Sequence, residues 1–279
     1  MEAIVVFLVI ISALLHTYWN TIFKQEIDRG AKHDLYWFCA VAQIVILGIP
    51  ALWLFITSPP PIQGISFAIV GGLSLGAFLI LAGKVYQLSN FSESYPLMRT
   101  LPLFTLIIGV LFLGETVSAI AKAGIAIILL GIFGMQGFDW RALLAKGPLL
   151  AIGVAIINAL YGTFSKLSVE STHPILFMYI SILVAVLVYA PKMLKRPVIQ
   201  EMRTRWSSIL QIAMGDLFSY GLVLVVLTMD RLSYIFALRQ ISIFFSVLVG
   251  IVIFKEAVKL PRIASAVVIL IGAVLIGLG

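Results

Sequence analysis

The chain has 279 residues, 62% of them hydrophobic and only 11% charged, with a mean hydropathy of +1.13. An average soluble domain carries about 25% charged residues, so this composition excludes a soluble enzyme or regulatory domain and describes an integral membrane protein. The formal net charge of +7 has no basic, aromatic-interleaved soluble face from which to meet nucleic acid, and is read as loop anchoring and orientation.

A hydrocarbon core of about 30 Å is crossed by about 20 apolar helical residues. Apolar runs separated by breakers predict an all-α protein of ten spans, at 3–23, 35–57, 65–88, 92–113, 117–136, 148–167, 174–194, 207–229, 232–254 and 258–278. The main breakers are SPPPIQG after Thr57, GFDWRALLAKG after Gln136 and KRPVIQEMRTR after Leu194. Each is proline-bearing or charged, and none is long enough to fold alone.

The first run lacks a basic leader and a small-residue cleavage pattern, so it is expected to be a retained span. Within it, SALLHTYWNTIFK places Ser12, His16, Asn20 and Lys24 four residues apart, with Trp19 at the flank. On a helix these form one polar stripe, which is expected to face protein or water. His16 lies eight residues from Lys24, about 12 Å along the axis and near the midplane. It is read in three ways: an interhelical hydrogen-bonding group, a substrate contact, or a proton-coupling site. Lys24 suits the membrane edge. The single Cys39 excludes an intrachain disulfide and is read as a small buried hydrophobe.

The third span carries Lys84 at depth, and its Gly72 and Gly76 make a GxxxG spacing for close helix packing. In the fourth, Arg99 sits about 12 Å from the preceding turn. Pro96 and Pro102 beside it remove hydrogen-bond donors and are expected to loosen that helix. Asn158, Tyr161, Ser165 and Lys166 repeat the polar stripe on the sixth span, and the eighth carries Asp216 and Tyr220 one turn apart. The ninth span carries Arg239 at the depth of Arg99 but no proline, so mobility is expected to be asymmetric. Tyr95 and Tyr234, near the starts of these two spans, offer hydroxyls. Glu115 and Glu256 fall in short turns, where helix capping is the simpler reading.

An arginine at depth costs at least about 2.5–3.5 kcal/mol and needs a partner or a wet cavity. One carboxylate, Asp216, does not neutralise Arg99, Arg239 and Lys84. The imbalance points to a cavity completed by an anionic substrate group, held by guanidinium forks. The competing reading bonds both arginines to helix carbonyls and to Asp216.

The two halves are alike in order along the chain. An offset of 140 lays Arg99 on Arg239 and Phe104 on Phe244, 141 lays Glu115 on Glu256 and Gly131 on Gly272, and 142 lays Lys24 on Lys166. Residues 1–136 and 148–279 are therefore expected to be two five-helix repeats joined by a loop at 137–147. An odd number of spans per repeat makes the second copy enter from the opposite face, an architecture of transporters. Lys255 stands where the first repeat has Gly114, a departure from the pattern.

The Trp-Asn and following Lys at the end of the first span, and LFLGET followed by AGIAIILLGIFGM with its echoes VIFKEAV and SAVVILIGAVLIG, resemble the drug/metabolite transporter superfamily, EamA-like branch. The resemblance covers essentially the whole chain. It implies ten helices around a central cavity, alternating access by rocking of the halves, and transport without a nucleotide-driven motor or other cofactor.

The expected function is a secondary transporter, not an enzyme, exporting a small polar metabolite with a carboxylate or phosphate, such as an amino acid or organic anion. Alternatives are a lipid-linked carrier flippase of the same superfamily and a cationic drug exporter. The histidines are scattered, with no HExxH and no cysteine pair, so neither catalytic nor metal ligands are expected. The expected contacts are Arg99, Arg239, Asp216, Tyr220, His16, Trp19, Asn20, Asn158, Tyr161, Tyr95, Tyr234 and Lys84. A monomer or homodimer in a bacterial inner membrane is expected. Loops after the odd-numbered spans hold most of the lysine and arginine, whereas the other loops and the termini hold only Lys122, Lys166 and Arg231. The positive-inside rule thus puts both termini outside, while the family resemblance puts them inside.

Overall fold

The computed structural model describes residues 1–31, 35–88, 97–134, 146–193, 198–255 and 260–279. Among these it is all helical, with no strand. The helices are α1 (Ala3–Asp28), α2 (Leu35–Thr57), α3 (Ile62–Leu88), α4 (Leu101–Phe112), α5 (Ala119–Gly134), α6 (Lys146–Val169), α7 (Pro174–Met193), α8 (Val198–Leu227), α9 (Leu232–Leu238), α10 (Ile241–Val252) and α11 (Leu260–Leu278). Counting α9 and α10 as one, eight are long and apolar enough to cross a membrane, and α4 and α5 are shorter apolar helices. This is a multi-pass membrane protein.

Helix faces are sorted for a lipid solvent. On α2, Val45, Ile49, Trp53 and Ile56 are exposed along one stripe, while Phe38, Gln43, Leu47, Ala51 and Leu54 face inward. An outward apolar face is what hydrocarbon selects, and it leaves polar groups such as Gln43 to the interior. The run of prolines after Thr57 separates α2 from α3, since proline cannot continue the ladder.

Packing couples the two halves reciprocally. α1 lies mainly along α8 and α3 along α6, so the first helix of each half pairs with the third of the other. α4 packs on α6 as α10 does on α1. The fifth helices, α5 and α11, make the most extensive contact of all. There the backbones nearly touch: a Cβ on Gly272 would fall 2.6 Å from Gly124 O and 2.7 Å from Ile128, and one on Gly131 would fall 2.9 Å from Ser265 O and 2.7 Å from Ile269. An offset of 141 turns each contact into the other. Without a hydrophobic drive between helices in lipid, such close approach supplies dispersion and weak backbone contacts instead. Gly72 and Gly76 pack against Ser181, Val184, Ala185 and Val188 of α7 within the chain.

The segment 232–252, expected as the ninth span, is not one continuous helix. It is interrupted at Arg239–Gln240 although it has no proline. Arg239 (φ −61°, ψ −18°) and Gln240 (φ −63°, ψ −11°) tighten the chain, with Gln240 N donating to Ala237 O, Ser242 N to Arg239 O and Ile243 N to Gln240 O. These three-residue steps are 3₁₀ turns. The fourth span breaks at the matching place, where Thr100 N donates to Leu97 O and Leu103 N to Thr100 O, and Pro102 has no N–H to give. Pro96, Tyr95, Glu256 and most of the 137–147 loop lie outside the described residues.

Candidate functional site: a cavity between the halves

The two interruptions and the middles of six other helices enclose a cavity of about 270 Å³. α1 contributes His16, Trp19 and Asn20, and α2 contributes Tyr36, Cys39 and Gln43. Arg99 enters from the break before α4, and Arg239 and Gln240 from the break between α9 and α10. Asn158 and Tyr161 come from α6, Asp216 and Tyr220 from α8, and Leu75, Phe78, Met178 and Ile182 supply apolar wall. A long straight helix cannot aim a buried arginine away from its own carbonyls as freely as a broken one, so the tight turns set where both guanidinium groups reach.

Arg239 is held by neutral groups. One terminal nitrogen donates to His16 Nδ1 at 3.3 Å and to Ser219 Oγ at 3.2 Å. Ser219 gives its own proton to Ser12 O at 2.9 Å, so its lone pairs are what it turns to Arg239. Ser12 returns the bond to Ser219 O at 2.8 Å, clasping α1 to α8. The guanidinium carbon lies 5.8 Å from the centre of the Tyr220 ring, within cation–π range. Among the described residues Arg239 Nε is buried without a hydrogen-bond partner. The alternative that pairs Arg239 with Asp216 is not what the structure shows: Asp216 Oδ2 accepts instead from Gln43 Nε2 at 3.0 Å, and the same amide nitrogen donates to Ala213 O at 3.2 Å.

Aromatic rings shape the remaining volume. Tyr161 and Tyr220 stack with centroids 5.2 Å apart, and the Tyr220 hydroxyl shares a 2.8 Å hydrogen bond with Ser165. Trp19 meets His16 edge-on at 5.1 Å and Tyr36 at 5.9 Å. Asn20 Nδ2 donates to His16 O at 2.7 Å, which fixes the amide and leaves its oxygen for other donors.

Of the twelve residues expected from sequence, His16, Trp19, Asn20, Arg99, Asn158, Tyr161, Asp216, Tyr220 and Arg239 line this cavity together. Two do not. Lys84 is exposed near the end of α3, because its chain reaches water at the helix end more cheaply than it reaches the interior. Tyr234 is buried at the start of α9, where its hydroxyl accepts from Ser118 N at 3.1 Å and its ring lies 5.0 Å from the Arg231 guanidinium. Tyr95 lies outside the described residues. Among the described residues no group of histidine, cysteine and carboxylate side chains could hold a metal ion.

The sequence matches the model of the EamA-like transporter family twice, at residues 3–136 and again at 145–278. The chain belongs to the EamA-like transporter family. Its fold is also similar to that of a solved protein described as "Crystal structure of protein", with a TM-score of 0.77 and 15% identity, covering 100% of this chain and 98% of that one. No curated protein matches the chain in sequence.

In this EamA-like transporter several residues of the wall, or directly behind it, escaped the sequence reading. Gln43, Ser219 and Gln240 are neutral, so no large transfer cost marks them out, yet Gln43 positions Asp216 and Ser219 positions Arg239. Gln240 Nε2 donates to Phe236 O at 3.1 Å and so closes the turn that presents Arg239. The available signal was a carboxamide alone in an apolar run. Glu115 caps a helix of the other half: its carboxylate accepts from Leu232 N at 2.6 Å, Ser233 N at 3.2 Å and Ser233 Oγ, satisfying the start of α9. Lys166 binds the opposite kind of end, donating to Leu227 O at 2.7 Å and Asp230 O at 3.2 Å at the close of α8.

Proposed function

We propose that this EamA-like transporter is a secondary exporter of a small polar metabolite bearing a carboxylate or phosphate, such as an amino acid or organic anion. Ten spans form two oppositely inserted repeats, residues 1–136 and 148–279 joined by 137–147, and their rocking exposes the cavity alternately to each side. The reciprocal helix pairing and the 141-residue exchange of the α5–α11 contacts support that arrangement. Both termini lie outside, the orientation favoured by the basic loops.

The observation that carries the substrate class is Arg239, a buried cavity-wall guanidinium whose hydrogen bonds run to neutral His16 and Ser219. Among the described residues no carboxylate is hydrogen-bonded to it, and Arg99 lines the same volume from the other half. An anionic group beside Arg239 would accept charge-assisted hydrogen bonds from it.

The test is a thermal-shift screen of purified protein against amino acids, simple carboxylates, sugar phosphates and lipophilic cations, followed by exchange assays in proteoliposomes. An anion or zwitterion at a hundredfold excess over its dissociation constant stabilises the folded state by about 2.7 kcal/mol. Stabilisation by lipophilic cations or lipid extract alone would sink the proposal.

A further inference from the structure

The cavity holds two groups that titrate in a useful range elsewhere in proteins, His16 and Asp216, and the sequence points first to the histidine. The geometry points the other way. We infer that Asp216, and not His16, is the proton-binding site of the cavity, the group through which a proton is coupled to transport.

His16 faces a donor that cannot reverse. A guanidinium has N–H groups and no lone pair to offer, so the 3.3 Å contact with Arg239 makes His16 Nδ1 the acceptor. The ring is then neutral, with its proton on Nε2. Adding a proton to Nδ1 destroys the acceptor, breaks that hydrogen bond and sets two cations against each other. His16 therefore takes up a proton only if Arg239 leaves, and Arg239 is fixed as well by Ser219 and the turn at Gln240.

Asp216 meets no such obstacle. Oδ2 accepts from Gln43, whose amide is anchored by Ala213 O one turn back on the helix that bears Asp216. Gln43 therefore stays whichever state the carboxyl adopts. Among the described residues the other carboxyl oxygen has no hydrogen-bond partner. A proton arriving from cavity water forms one O–H bond there and breaks none of the protein's hydrogen bonds, because the protonated group keeps an acceptor oxygen for Gln43. Release returns the proton to water by the same route.

The groups facing Asp216 are consistent with this assignment. His16 lines the cavity from α1, Tyr36, Cys39 and Gln43 from α2, Arg99 from the break before α4, and Tyr161 from α6. Arg239 faces it from the α9–α10 turn and Tyr220 from its own helix, while α7 offers the non-ionisable Met178, Ile182 and Ala185. Loading the proton removes the negative charge of Asp216 from a wall that also carries two guanidinium groups. It therefore tightens the hold on an anion and loosens the hold on an ammonium group.

The experiment uses the proton itself as probe, in attenuated-total-reflection infrared difference spectra of the reconstituted full-length protein, titrated downward across the pH window in which the protein stays folded. A deuterium-sensitive carboxylic-acid carbonyl band grows as pH falls in the wild type. It is missing in Asp216→Asn, which keeps an acceptor for Gln43, is displaced in Asp216→Glu, and survives in His16→Gln. An unchanged band in Asp216→Asn, no wild-type band in that window, or loss of the band in His16→Gln would overturn the assignment. No transported ligand is needed, so a failure of the anion reading leaves this result standing, and the reverse holds too.

Discussion

The helix that carries Arg99 and the helix that carries Arg239 break at the same place by different means. Before α4 the interruption coincides with Pro102, whose ring withholds an amide, and Thr100 Oγ1 donates to Leu97 O at 2.7 Å. Between α9 and α10 no proline is present, and the turn rests on 3₁₀ hydrogen bonds and the Gln240 side chain. The turns that follow differ in the same manner: Gly114 has φ +65°, and Lys255, aligned with it, has φ +52°. A glycine adopts that conformation freely and a lysine does so under strain. The duplicated halves thus preserve a backbone path while the residues that produce it have diverged. What the path delivers, a guanidinium group in the cavity wall, is the part retained in both.

The largest effect expected from this comparison is on ligand binding. Lysine at either 99 or 239 keeps the charge and loses the fork, so Arg99→Lys and Arg239→Lys each weaken the best ligand of the screen by about 1.5–3 kcal/mol, roughly ten- to hundredfold. Isothermal titration on monodisperse protein reads this. A loss confined to one variant breaks the equivalence of the two arms.

Next comes the α5–α11 contact, where the halves meet on equal terms. Gly272→Ala presses a methyl group into the Gly124 backbone and Gly131→Ala into that of Ser265, lowering stability by about 1–3 kcal/mol in each case. Gly153→Ala on α6, where nothing lies within 4 Å, is the control and leaves the thermal midpoint unchanged or raised. Equal midpoints for all three variants would show that the crossing is looser than described.

A smaller loss, about 1–2 kcal/mol, is expected for Glu115→Gln, which weakens the cap on α9. Amide hydrogen exchange at Leu232 and Ser233 should quicken while exchange in α10 stays slow. Smallest is the strained turn: Lys255→Gly stabilises by about 1 kcal/mol, and Gly114→Ala destabilises by a similar amount. Opposite signs in thermal unfolding sharpen the comparison, and like signs contradict it.

The sequence located what membranes price heavily. Long apolar runs and charges within them stand out because hydrocarbon penalises their alternatives by several kcal/mol, so the apolar helices were legible, as was the meeting of Arg99, Asp216 and Arg239 in one cavity. Lys84 shows the limit of that signal. A transfer cost says that a charge avoids lipid, but a cavity and the water at a helix end satisfy it equally. Gln43 and Ser219 were missed for the converse reason, since neutral groups are cheap enough to pass unnoticed. The break at Arg239 left no mark because a 3₁₀ turn needs no special residue. Glu115 was read as a cap, but which helix it serves depends on how the halves meet, which spacing along one chain does not encode.

That cap gives the protein a particular kind of closure. Parting Glu115 from α9 strips partners from two amides, a hydroxyl and a carboxylate in one motion. In a dry setting each orphaned group costs about 1–3 kcal/mol, so the parting is cheap only where solvent follows immediately. The junction is a seam whose hold depends on how dry it is, so water is the agent that sets its strength.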